Sequence, residues 1–191
     1  MLRVGYVPGV TPDKWARAWR ERRDGVRLEL VLLEETDAES SVRDKHVDMA
    51  LARLPVERTG LHVVRLYEEV PVVVVGREHP VAAYDEIELT ELADEQFITG
   101  PPAGFTPHAE QLMFPPMSAK DAVEVAATGT GIAILPMSVA RLHHRKDVAH
   151  RVVLGPEPTT IALIWPTERD DATTQAFVGV TRGRTPRSPR G

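Results

Sequence analysis

The chain contains no cysteine. Disulfides, thiolate metal sites and cysteine nucleophiles are therefore excluded. Its longest apolar run is a few residues, far short of the roughly 20 needed to cross a bilayer. The opening segment, Met1-Leu2-Arg3-Val4-Gly5-Tyr6-Val7-Pro8, lacks the apolar core of an export signal, so the expectation is a cytoplasmic protein. Serine is scarce, at Ser40, Ser41, Ser118, Ser138 and Ser188. None lies in a G-x-S-x-G elbow, so a hydrolase triad is not indicated. There is no phosphate-loop lysine motif. Gly129-Thr130-Gly131 does not complete G-x-G-x-x-G, and it joins a helix to a strand, the reverse of a dinucleotide loop. A helix C-cap is the reading it supports. No cofactor is expected.

What is present is ordinary for a globular chain. Hydrophobic residues make up 42% and charged residues 27% of 191 positions. That length suits one large domain or two small lobes, with about 70% of the unfolded surface buried. The net charge is −5. Four arginines (Arg182, Arg184, Arg187 and Arg190) fall in the last ten residues without any acid, so the body is more acidic than the sum suggests. An acidic body disfavours non-specific nucleic-acid binding.

Leu2 to Val7 alternates as a strand, and Thr11-Pro12 reads as an N-cap and first helical residue. The helix runs to about Arg23, with Trp15 and Trp19 on one face, and Asp24-Gly25 stops it. Val26–Leu33 is a strand, Thr36 or Asp37 caps a short helix, and Val47–Leu54 is a third strand. This β-α-β-α-β order predicts a parallel sheet. His62–Leu66 and Val70–Gly76 are two more extended segments. The second carries four consecutive valines, which predicts a buried strand. Leu89–Ala93 is a short helix, and Gln96–Ile98 is a strand ending at Thr99. The stretch from Gly100 to Pro116 reads as loop. Ser118 caps a helix to about Thr128, Ile132–Leu135 is a strand, and Ser138 caps a helix to about His144. Two strands and a final helix from Asp171 follow.

His143, His144 and His150 fit no ligand spacing, and Arg145 and Lys146 beside them disfavour a cation, so no metal is expected. Glu34-Glu35 and Glu68-Glu69 are adjacent acid pairs of the kind common on surfaces. The remaining candidates are hydroxyls and backbone amides at strand-to-helix turns: Thr11, Thr36, Thr99 and Ser118. In an open parallel sheet such turns converge on one crevice. Amides at helix starts there favour a small anion.

The order of these elements resembles the effector-binding (substrate-binding) domain of LysR-type transcriptional regulators. The likeness rests on Leu2 to Gly9, on Leu28-Glu29-Leu30 with Glu34 and Thr36, and on Val47 to Arg53. It continues through Leu66-Tyr67-Glu68-Glu69 and Val72 to Val75 with His79-Pro80, and ends on Val125 to Pro136. The resemblance implies an α/β, two-lobe, periplasmic-binding-protein-like (type 2) fold with crossing hinge strands. Residues 1–70 plus about 161–181 would form the first lobe, 71–160 a shortened second lobe, and 182–191 a disordered basic tail. It further implies a small-molecule effector, an organic anion or an amino-acid-like compound, held in a cleft. Val10, Thr11, Thr36 and Arg53 would come from the first lobe. Thr99, Gly100, Met117, Ser118 and Met137 would come from the second. Arg53 suits a carboxylate, and the methionines suit an adaptable apolar wall.

The sequence starts at the opening strand, without the family's helix-turn-helix, so the expectation is no specific DNA binding by this chain alone. Family members commonly dimerise through the first lobe's helix, which places Trp15 and Trp19 at a dimer interface. A homodimer, and pairing with a full-length regulator, are the partners this implies. The other reading is a ligand-free dimerisation or interaction module. An enzyme is not expected.

Overall fold

The computed structural model describes residues 1–22 and 25–183. Most of the basic tail, and the expected helix end at Arg23-Asp24, lie outside those residues. The chain divides into two compact units, one of Met1–Glu68 with the segment from Thr160 onward, the other Glu69–Thr159.

In the first unit the alternating apolar segments form β1 (Leu2–Tyr6), β2 (Leu28–Leu32) and β3 (Met49–Arg53). β1 lies between the other two and runs parallel to both, as the β-α-β-α-β order predicts. β9 (Thr159–Pro166) pairs antiparallel with β3, and β4 (Leu61–Glu69) completes the order β2-β1-β3-β9-β4. β4 and β9 both span the division, so the chain passes between the units twice. The helices are α1 (Asp13–Glu21), α2 (Ala38–Arg43) and α5 (Ala172–Thr181). Trp15 and Trp19 of α1 face inward, each only 5% exposed, among Leu2, Val4, Ile164 and Phe177. Trp19 meets the Phe177 ring edge-on at 5.6 Å and donates from Nε1 to the Val26 carbonyl at 2.8 Å. The indoles expected at a dimer interface are thus spent on the core of their own unit. At the other end of β3, buried Asp48 accepts from the Arg3 amide at 2.7 Å and from Arg169 Nη1 at 2.7 Å. It pins the start of β1 to the segment before α5.

The second unit is built on β5 (Pro71–Gly76), β6 (Glu86–Glu88), β7 (Ala133–Pro136) and β8 (Val148–Leu154), in the order β6-β8-β5-β7. The valine run explains why β5 is central. Val72 and Val74 pack with Ala122, Val123 and Ala126 of α3 (Ala119–Ala127), while Val73 and Val75 pack with Leu92, Phe97, Ile132 and Val153. Successive side chains of a strand point to opposite faces, so a run that is apolar at every position is buried on both. Gly129 takes φ 76° just past α3, which ends the helix where a β-carbon would be disfavoured. Gly131 is needed for another reason: a β-carbon there would come within 2.5 Å of the Gln96 carbonyl oxygen. That close approach brings Phe97 into a bridge with Ile132.

Several local expectations are corrected. Thr11 does not cap α1. Pro12 stands at the cap, without a side-chain bond, and its carbonyl accepts from Trp15 and Ala16. Neither Thr36 nor Asp37 caps α2 through its side chain: Glu35–Asp37 is a 3-10 turn, and Thr36 donates to Asp37 at 3.1 Å. Ser138 lies inside α4 (Met137–Leu142) and not at its cap, because its hydroxyl is drawn to Glu69. Gln96–Ile98 is no strand beyond the single bridge, and β6 is a strand the sequence reading passed over. Ser118 does cap α3, its Oγ accepting from the Asp121 amide at 3.1 Å.

Candidate functional site

In the first unit the carboxyl ends of β1, β2 and β3 lead into three turns. Val10 is buried in the core, and Gly9 before it takes φ 87°. Thr11 and Thr36 are exposed. Arg53, the last residue of β3, joins two of the turns. Its Nη2 donates to the Pro8 carbonyl at 3.1 Å, in the turn after β1. Its Nη1 pairs with Glu35 Oε2 at 2.7 Å, in the turn after β2. The Arg53 side chain is only 4% exposed, whereas that of Glu35 is 50% exposed. A fixed, nearly buried cation therefore stands at these strand ends, neutralised by an acid that water still reaches. The sequence reading placed Arg53 at this position. It treated Glu35 only as half of a surface acid pair.

In the second unit Thr99, Gly100 and Met117 line one groove of about 460 Å³. The segment from Gln111 to Met117 forms the opposite wall. Gln111, absent from the sequence-derived set, fastens that wall. Its Oε1 accepts from the Phe97 amide at 2.9 Å, and its Nε2 donates to the Glu95 and Ala109 carbonyls at 2.9 and 3.1 Å. Gln96 returns the tie, accepting from the Leu112 amide at 2.8 Å. No spacing rule anticipates such bonds, since they cross a loop without periodicity. Ser118 follows the groove wall, with its hydroxyl committed to Asp121. Met137 does not line the groove. It packs with Met117 against the same apolar cluster beside α3.

Glu69 is the other acid whose role the pair reading missed, and unlike Glu35 it is buried. Its carboxylate accepts from Ser138 and, at 3.4 Å, from Thr159. It thereby ties the end of β4 to the first turn of α4 and the start of β9.

His144 and His150 lie edge to face with centroids 6.3 Å apart. Partial burial holds His150 below its ordinary range, and His144, Arg141 and Arg151 add repulsion in the same sense. No group of three metal-ligating side chains occurs among the described residues. None of the described helices is long and apolar enough to cross a membrane.

Comparison with known proteins agrees with this architecture. The family model described as the LysR substrate binding domain matches residues 1–186. The HTH-type transcriptional regulator CatR of Pseudomonas putida is 26% identical over 164 residues, which cover 78% of this chain and 56% of that protein. AlsR of Bacillus subtilis, also an HTH-type transcriptional regulator, is 23% identical over 167 residues, 79% of this chain and 55% of that protein. The chain thus spans about half the length of these curated relatives. Among solved structures, the BenM effector binding domain with its effector benzoate superposes with a TM-score of 0.76 at 16% identity, covering 100% of this chain and 97% of that one. The oxidised form of OxyR gives 0.71 at 19% identity, covering 95% and 92%. The fold is therefore the type 2 periplasmic-binding-protein-like fold of effector-binding domains, and the chain belongs to the LysR substrate-binding domain family of transcription regulators.

Proposed function

We propose that this chain binds a small organic effector, an anion or an amino-acid-like compound, and that its occupancy regulates transcription through a LysR-type regulator. The candidate ligand contacts are Val10, Thr11, Thr36 and Arg53 in the first unit, and Thr99, Gly100, Met117, Ser118 and Met137 in the second. The observation that carries this reading is Arg53. A guanidinium held by the Pro8 carbonyl and by Glu35 is oriented before any ligand arrives. A ligand carboxylate competes with a half-exposed Glu35, which water can solvate once it is displaced. Bidentate geometry then favours a planar carboxylate.

A thermal-shift screen of organic acids and amino acids tests the proposal. A ligand that binds only the folded chain adds about 2.7 kcal/mol at one hundred times its Kd. In a domain of this size each kcal/mol raises Tm by roughly 2–4 °C. At least one compound is expected to stabilise the chain, and to lose most of its effect in Arg53→Met. A full panel without stabilisation contradicts the reading.

A further inference from the structure

β4 and β9, which both cross the division, are held by side chains on either side of it. On the second unit's side the holding group is the Glu69 carboxylate, only 6% exposed. Its Oε1 accepts from the Ser138 hydroxyl, in the first turn of α4, and its Oε2 from the Thr159 hydroxyl at 3.4 Å. The Met137 amide adds a bond to the Val70 carbonyl at 2.9 Å. On the first unit's side Arg65 Nη2 donates to the Thr160 hydroxyl at 2.8 Å, and the Thr160 carbonyl accepts from the Leu54 amide at 2.9 Å. Thr159 and Thr160 are neighbours, so a single peptide link of β9 lies between the two sets of ties. On β4 the interval is residues 66–68. Leu66 and Tyr67 pack against the first unit's core. That leaves Glu68, which is exposed and whose pairing with Arg65 at 3.5 Å is screened by water.

We infer that the chain bends at Glu68 in β4 and at the Thr159–Thr160 link in β9, and that Glu69 is a clamp that keeps the bend from spreading into the second unit. A hinge is absorbed by the few residues that their neighbours leave free. Backbone bonds between β4 and β9 survive such a bend, since paired strands turn together. The side-chain ties resist it. A hydroxyl donating to a carboxylate makes a charge-assisted bond, and losing it leaves a buried charge short of a donor. Through its two oxygens Glu69 makes the end of β4, the start of β9 and the first turn of α4 move as one body. It is a positioning residue, and its role is independent of effector binding.

Because the chain has no cysteine, two introduced ones take spin labels uniquely, Glu21→Cys on α1 and Lys120→Cys on α3, both at exposed positions. Distance distributions between the labels on the full chain report how freely the strands bend, and hydrogen exchange reports where. Glu69→Ala and Ser138→Ala are each expected to broaden the distribution. Both should speed exchange at the Met137 and Thr159 amides about tenfold, the loss of one bond to a charged acceptor, and leave Val72–Val75 of β5 as in the parent. Glu69→Gln keeps an oxygen that accepts from Ser138 and an amide that donates to Thr159, so it is expected to retain the parent's narrower distribution. Unchanged widths in both alanine variants overturn the inference. So does faster exchange spread evenly through the second unit, which would make Glu69 a stabilising residue and no clamp. Broadening in Glu69→Gln equal to that in Glu69→Ala overturns it as well. Each of these results leaves the effector-binding reading untouched, since no effector is added.

Discussion

Arg53 Nη1 lies 2.7 Å from Glu35 Oε2, and the pair joins the end of β3 to the turn after β2. The two partners differ sharply in exposure, so their variants should differ in effect. Arg53→Met removes a nearly buried cation and the donor to the Pro8 carbonyl, at a cost of about 2 kcal/mol. The remaining carboxylate can turn to water, which keeps the loss below that of a fully buried pair. Glu35→Gln keeps an acceptor but removes the competing charge. It should tighten carboxylate probes by about three- to tenfold, and leave neutral probes unchanged. Denaturant unfolding and calorimetric titration measure the two effects. A Glu35→Gln chain with weaker carboxylate binding would show that Glu35 helps to hold the ligand and does not compete with it.

Trp19 is committed to the core against Phe177 and to the Val26 carbonyl. Trp19→Ala should cost about 3–5 kcal/mol. Because that loss arises within one chain, it should be the same at low and high protein concentration. A loss that grows with concentration would return the indole to an interface between chains.

Asp171 and Thr11 each stand just before a helix, and only Asp171 caps it through its side chain. Asp171 Oδ1 accepts from the Thr173 and Thr174 amides at 2.8 and 2.9 Å, at the start of α5. Thr11 makes no such bond at α1. Asp171→Ala should therefore lose about 1 kcal/mol, and Thr11→Ala should stay within about 0.5 kcal/mol of the parent. Equal losses in urea unfolding would contradict the assignment of the caps.

Burial and neighbouring positive charge hold His150 below its ordinary range near 6.5. The unfolded chain then takes up a proton first as pH falls, so the folded state loses stability as pH drops from about 6.5 through the lower native value. His150→Gln should remove that part of the acid sensitivity. The check is the difference in unfolding free energy between parent and variant across this range. A constant difference would mean that His150 titrates alike in both states.

Much of the fold was legible because its signals are local. The valine run from Val72 to Val75 requires a strand buried on both faces, and the structure places it between two clusters. Ser118 marked the start of α3. The misreadings arose where a distant partner decides the outcome. Ser138 looked like a cap after a proline, but its hydroxyl goes to Glu69, 69 positions away in sequence. Thr11 before Pro12 has the right neighbours for a cap but makes no bond to the helix. β6 is three residues long with one buried position, too short for alternation to stand out. Arg53 was legible as a terminal strand residue, but Glu35 was not, since its meaning depends on the turn that brings it back. The groove wall from Gln111 to Met117 was read as bare loop because side-chain-to-backbone ties leave no periodic trace.

Effector binding is tested most directly by hydrogen exchange on the full chain, with and without saturating amounts of the most stabilising compound from the screen. Slower exchange is expected in the turns at residues 8–11 and 34–36 and at the end of β3, and also in segments 97–100 and 111–118. Protection confined instead to the groove lined by Arg77, His79, Thr128 and Lys146, or found nowhere, would contradict it.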